Sequence, residues 1–114
     1  MLVKKFSDAK AYEAPNHFGM KSLRLQGFEE GGPTNFWVGL SHFLPGGGAG
    51  PDATPLEKVY VVLAGHITVT AEGQDHVLGP MDSVRIAPNV ERKVLNTGND
   101  VATMIVVLPY PPNR

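Results

Sequence analysis

Glycine and proline recur along this chain roughly every 8–15 residues, and that cadence limits the fold more than any other feature. Thirteen Gly and ten Pro divide the 114 residues into short segments rich in Val, Ile, Leu and Thr. Such spacing predicts an antiparallel sandwich or barrel rather than alternating strands and helices. No stretch of about 11 residues or more carries a convincing 3.6-residue period. The best helical candidate, Ser7–Tyr12 with a cap at Ser7 or Asp8, amounts to little more than a turn.

The strands follow from the punctuation. Met20–Phe28 alternates around Leu23 and Leu25, and Phe36–Leu44 ends at Pro45-Gly46-Gly47-Gly48, a run that cannot continue a regular ladder. Val59–Leu63 is apolar on both faces, so both faces are expected to be covered. Ala64-Gly65-His66 predicts a hairpin into Ile67–Thr70, and Glu72-Gly73-Gln74-Asp75 turns the chain into His76–Leu78. Gly79–Asp82 introduces Ser83–Ile86, Pro88-Asn89 introduces Arg92–Leu95, and Thr97–Asp100 closes a last hairpin before Ala102–Leu108. The tail 109–114 is expected to be extended and outside the ladder.

Composition narrows the class. Lys plus Arg number 10 and Asp plus Glu 11, a net charge of −1 with no basic run, which argues against a nucleic-acid partner. The longest apolar run, Met104–Leu108, falls far short of the ~20 residues of a membrane span, and the opening Met-Leu-Val-Lys-Lys-Phe lacks a signal peptide's apolar core. With no cysteine, disulfides, thiolate metal sites and cysteine nucleophiles are all excluded. A single cytoplasmic domain spanning residues 1–114 is the expectation.

Two stretches then carry a family resemblance. The spacing G(X)5HXH(X)3–4E(X)6G runs without a gap from Gly46 to Gly65, and G(X)5PXG(X)2H(X)3N has the length of Met81–Asn96. Around that length, Asp82, Val84, Ile86, Pro88, Asn96 and the following Thr97-Gly98 read as residues typical of one family. The chain resembles a small single-domain cupin of the conserved-barrel type, with the motif region at 46–96. The resemblance implies an all-β jelly-roll barrel of two antiparallel sheets, and a homodimer paired through a sheet, for which Val59 and Val61 on the outer face are the candidates.

In metal-binding cupins the motif histidines and glutamate hold an ion. Here those places are Asp52, Thr54, Lys58 and Arg92. An ammonium and a guanidinium have no lone pair to give, so the family's metal site is expected to be absent and no cofactor is assigned. Glu57 falls one residue off the ligand position, which in a strand means the opposite face. A divalent ion held by Asp52, Glu57 and His42 is the alternative. Of the other histidines, His17, His66 and His76 are expected at the surface.

Period two along 58–62 places Lys58, Tyr60 and Val62 on one face, which by the resemblance lines the barrel. Arg92, Val94 and Asn96 point inward likewise, and His42 is read inward with Val38, Leu40 and Leu44. Lys58, Arg92, Tyr60 and His42 are therefore the catalytic candidates, with Asp52, Thr54 and Asn96 as substrate-binding residues. Two cations in one cup suggest a small anionic or oxo-acid ligand, gripped by Arg92, with Lys58 as base or Schiff-base nucleophile. Proton-transfer chemistry follows: isomerisation, epimerisation, dehydration or decarboxylation. A non-catalytic ligand sensor and a metal-dependent dioxygenase or sugar isomerase with unusual ligands are the competing readings. Asn89, where the family has Gly, is read as a left-handed turn residue. Met81 also replaces a family Gly, and Pro80 is expected to hold that corner.

Overall fold

The computed structural model describes residues 1–112; the last two residues of the expected tail, 113–114, lie outside them. A short 3-10 turn at Phe6–Asp8 precedes nine strands: β1 Lys10–Tyr12, β2 His17–Gln26, β3 Trp37–Asp52, β4 Lys58–Ala64, β5 Ile67–Ala71, β6 Gln74–Leu78, β7 Ser83–Ile86, β8 Arg92–Leu95 and β9 Ala102–Leu108. Every pairing is antiparallel. Strand order is β6-β5-β8-β3-β9-β4-β7, with β2 also against β3 and β1 against β2. The chain is thus all-β, a nearly closed antiparallel barrel. Among the described residues, no helix is long and apolar enough to cross a membrane.

β3 joins the two halves. Trp37–Phe43 pairs with β9 and β2, whereas Gly48–Asp52 pairs with β8. The Pro45–Gly48 run does interrupt the β2 ladder, which jumps from Met20↔Phe43 to Phe18↔Gly48. The strand nevertheless continues through it, because glycine lets neighbouring backbones come close. A Cβ on Gly47 would stand only 2.0 Å from the Gly19 carbonyl oxygen.

Two expected hairpins are cross-barrel connections instead. β4 pairs with β7 and β9, while β5 pairs with β6 and β8, so the Gly65 turn carries the chain from one half to the other. The Thr97–Asp100 turn does the same between β8 and β9. A tight reversal fixes only the direction of the chain. Which edge the next strand joins depends on where its apolar face finds cover, and here that is across the core. The turn between β5 and β6 is a true hairpin, with positive φ at both Glu72 (54°) and Gly73 (75°).

Burial follows the two-residue period. In β4, Lys58, Tyr60 and Val62 are buried and Val59 and Leu63 exposed. On the outer face of β4, Val59 and Leu63 are thus exposed and Val61 half-buried in the single chain. Inward residues of both halves meet in one core, including Phe43, Val62, Ile67, Val69, Val94 and Met104, each stabilising by about 1.5–3 kcal/mol. Of the segment Ser7–Tyr12, only Ser7 and Asp8 lie in the 3-10 turn, none of whose residues is buried, and Lys10–Tyr12 gains ladder bonds by joining β2.

Candidate functional site

The barrel encloses a cavity of about 320 Å³, within the range of small-molecule sites. Its walls bring together Asp52 at the end of β3, Thr54 in the following loop, Lys58 and Tyr60 of β4, and Arg92 of β8. Lys58 and Arg92 are only 5% and 7% exposed, so two cations face one cavity, shielded from bulk solvent.

Arg92 is anchored through Nε, which donates to Tyr60 Oη at 2.8 Å, and stands opposite Asp52 in the β3–β8 ladder. Its Nη1 is buried with no partner among the described residues. Lys58 Nζ donates to Thr54 Oγ1 at 2.9 Å, rather than pairing with Asp52. Burial pushes the Lys58 ammonium below its ordinary range, Arg92 pushes it further, and Asp52 opposes both. Burial raises the Tyr60 phenol, against the pull of Arg92. The surroundings thus disfavour the charged form of both groups, the ammonium of Lys58 and the phenolate of Tyr60.

Four further residues of the lining were not foreseen. His17, read as a surface loop residue, opens β2 and lines the cavity. Its Nδ1 lies 2.7 Å from the Pro15 carbonyl, so Nδ1 carries the hydrogen and Nε2 keeps its lone pair. Burial lowers its pKa, and Arg92 adds to this against the Pro15 bond and Asp52. Arg24, Trp37 and Tyr12 line the other end. The Arg24 guanidinium carbon stands 4.0, 4.6 and 5.8 Å from the ring centroids of Phe28, Tyr12 and Trp37. Arg24 Nε and Trp37 Nε1 are buried without partners among the described residues. With Arg92 Nη1, three donors without a protein partner among the described residues border one cavity, each free to serve a ligand acceptor.

His42 and Asn96 do not join this site. The inward residues of β3 are Trp37, Ser41 and Phe43, so His42 faces outward, with Nδ1 3.0 Å from Thr103 Oγ1 and the Phe6 ring against its imidazole. Both faces of β2 and β3 carry apolar residues, and Leu23 pairs with Leu40 on the outer one; alternation alone could not orient them. Asn96 does point inward, but as a brace. Its Nδ2 donates to the Phe43 and Asp100 carbonyls and its Oδ1 accepts from Gly98 N–H.

The donor set at the family's ion position does not fit a divalent metal. Two of the four side chains are cations, and the Thr54 hydroxyl already serves Lys58 and the Leu56 N–H. The alternative set does not converge either. Glu57 is on the outside, paired with Arg85, and His42 faces away from Asp52. Among the described residues, no three His, Asp or Glu side chains come together.

Known proteins share this architecture. A polyketide cyclase, RemF from Streptomyces resistomycificus, superposes with a TM-score of 0.82 at 22% identity, over 96% of this chain and 79% of that one. An RmlC-like cupin from Shewanella frigidimarina gives 0.78 at 17% identity, over 96% and 90%. A sugar phosphate isomerase of the cupin superfamily from Silicibacter pomeroyi gives 0.78 at 20%, over 95% and 75%. In sequence, a protein named Beta-D-galactosidase from Mycobacterium tuberculosis is 42% identical over 111 residues, covering 97% of this chain and 96% of its own. The family described as a cupin domain matches residues 39–108, and with the barrel and its motif spacing this makes the chain a member of the cupin family.

Proposed function

We propose that this cupin binds a small, oxygen-rich molecule of sugar size in its cavity and acts on it by acid–base chemistry without a divalent metal. The observation that carries the reading is Arg92, anchored at Nε and left with a buried, unpartnered Nη1 on the cavity wall. A carboxylate or hydroxyl oxygen of the ligand supplies the missing acceptor. Lys58, held towards its neutral form, takes the proton, and Tyr60 returns one. Asp52 and Thr54 orient the ligand from the cavity mouth. A homodimer closed over the outer face of β4, where Val59 and Leu63 are exposed, belongs to the same proposal, and sedimentation equilibrium tests it.

Within this reading a β-galactoside is the first substrate class to try, because the M. tuberculosis relative bears the name of a galactosidase. The cavity lining includes two carboxylates, Glu13 and Asp52, the pair of groups that glycosidic-bond cleavage uses. Isomerisation or epimerisation by Lys58 is the second reading, favoured by its amine character. Incubation of the chain with nitrophenyl β-D-galactoside separates them. Nitrophenolate release that disappears in Asp52→Asn supports cleavage. Deuterium wash-in from D2O at a sugar carbon, lost in Lys58→Met, supports the second. Binding that weakens in Arg92→Ala with neither reaction leaves a ligand sensor, and no binding of any sugar or sugar acid refutes the proposal.

A further inference from the structure

The strand register places Arg24, Gly39, Val106 and Tyr60 in one row across β2, β3, β9 and β4. Three interstrand spacings of about 4.8 Å separate the ends of that row by about 14 Å at the backbone. At one end Tyr60 carries Arg92. At the other stands Arg24, its guanidinium carbon over the Phe28 and Tyr12 rings and within 5.8 Å of the Trp37 ring centroid.

Two glycines make room for this end. A Cβ on Gly39 would lie 2.8 Å from the Trp37 ring and 3.1 Å from Tyr12 Oη, and one on Gly27 would lie 2.3 Å from Trp37 Cβ. The indole therefore seats where side chains are missing and is only 8% exposed. The three rings hold the guanidinium by cation–π contact, and its hydrogen bonds can form only in its own plane. In that plane Nε is buried and unpartnered, as is Trp37 Nε1 nearby. Arg24 makes no ion pair among the described residues, where the pairs are Lys4–Glu29 and Arg85–Glu57. A held cation with a free edge and no counter-ion is a preorganised receptor for a planar or tetrahedral oxyanion.

We propose that Arg24 and Trp37 form an anion subsite at the end of the cavity opposite Arg92, which takes a carboxylate or phosphate carried by the ligand. The substrate class becomes an acidic sugar, bound by its charged group at Arg24 and by another oxygen at Arg92. This rests on the reading that the cavity binds a sugar-sized molecule.

Calorimetric titration of the full chain with D-galactose, D-galacturonate and D-galactose 6-phosphate tests it. At least one acidic sugar is expected to bind at least tenfold more tightly than galactose, and the tighter of the two names the anion. Arg24→Gln is expected to bring that ligand within about twofold of galactose, both measured on the same variant. Trp37→Phe, which keeps a ring and removes the N–H, is expected to weaken the acidic sugar several-fold. If near-UV circular dichroism shows Arg24→Gln unfolded, Arg24→Lys takes its place, keeping the charge without the fork, with a several-fold loss expected. Acidic sugars no tighter than galactose on the wild type, or an acid preference that survives intact in the folded Arg24 variant, overturn the subsite alone. Failure of all three sugars to bind the wild type overturns the cavity reading with it.

Discussion

Replacing Lys58 with methionine is expected to stabilise the fold while abolishing any turnover. The side chain is 5% exposed and holds one hydrogen bond, to Thr54 Oγ1. Losing a charge-assisted bond costs about 1.5–3 kcal/mol. Thr54 keeps its bond from the Leu56 N–H at 3.2 Å, so the partner is not orphaned. On the other side, the ammonium is partly desolvated, feels the Arg92 charge and makes no ion pair with a carboxylate. The penalty for such an ion is several kcal/mol, and apolar replacement of buried ions is neutral to stabilising by about 1–4 kcal/mol. Methionine nearly matches lysine in volume and leaves no cavity. The net is a gain of about 1–2 kcal/mol, or a rise in Tm of roughly 4–8 °C.

The gain has a pH signature. Between its lowered pKa and the unfolded value of 10.5, Lys58 binds fewer protons in the folded state than in the unfolded one. Wild-type stability therefore rises with pH through that window, and the advantage of Lys58→Met shrinks towards pH 10.5. Urea denaturation at neutral and alkaline pH reads both effects, as a shift in midpoint at constant m. A variant destabilised by about 1 kcal/mol or more at neutral pH would refute the reasoning. The ammonium would then be held as an ion pair, with Asp52 as its partner.

Three other outcomes follow from the same structure. His17 titrates below its ordinary 6.5 because of burial, so the folded state binds fewer protons there; stability falls as pH drops below 6.5, and His17→Gln flattens that slope in urea melts. Met81 holds a left-handed φ of 70° on an exposed corner, so Met81→Gly is expected to stabilise by about 1 kcal/mol in the same assay, and no change would mean that Pro80 and the Val62 carbonyl already compensate the strain. Asn96→Ala breaks three hydrogen bonds at a site 1% exposed; a loss of about 3 kcal/mol is expected, with ligand affinity unchanged in the folded fraction.

The barrel was legible because glycine and proline spacing and the two motif lengths point the same way, and both are set by backbone demands. Gly65 and Asn89 show this, each holding positive φ at its turn (71° and 65°). The site was legible where one strand face is plainly polar against the core, as at Lys58 and Tyr60. It was not legible on β2 and β3. There the outer face is apolar too, and a one-residue misreading turned His42 in and left Arg24 unassigned. Leu23-Arg24-Leu25 looks like an ordinary exposed arginine between buried leucines. Only the register with Gly39 and the three surrounding rings makes it part of the cavity. A glycine facing that arginine, two residues after the chain's one tryptophan, was the available signal. The misread turns at Gly65 and Thr97 fail for a related reason: local turn chemistry carries no information about which sheet edge is free.

The chain's one tryptophan, Trp37, borders the cavity with its Nε1 unsatisfied. Its fluorescence therefore tests directly whether the cavity binds an oxygen-rich small molecule. Titration with D-galactose, D-galacturonate and D-galactose 6-phosphate is expected to give a saturable change in emission with at least one of them, weakened in Arg92→Ala. Emission that stays unchanged with all three, in protein shown to be folded, would contradict the account.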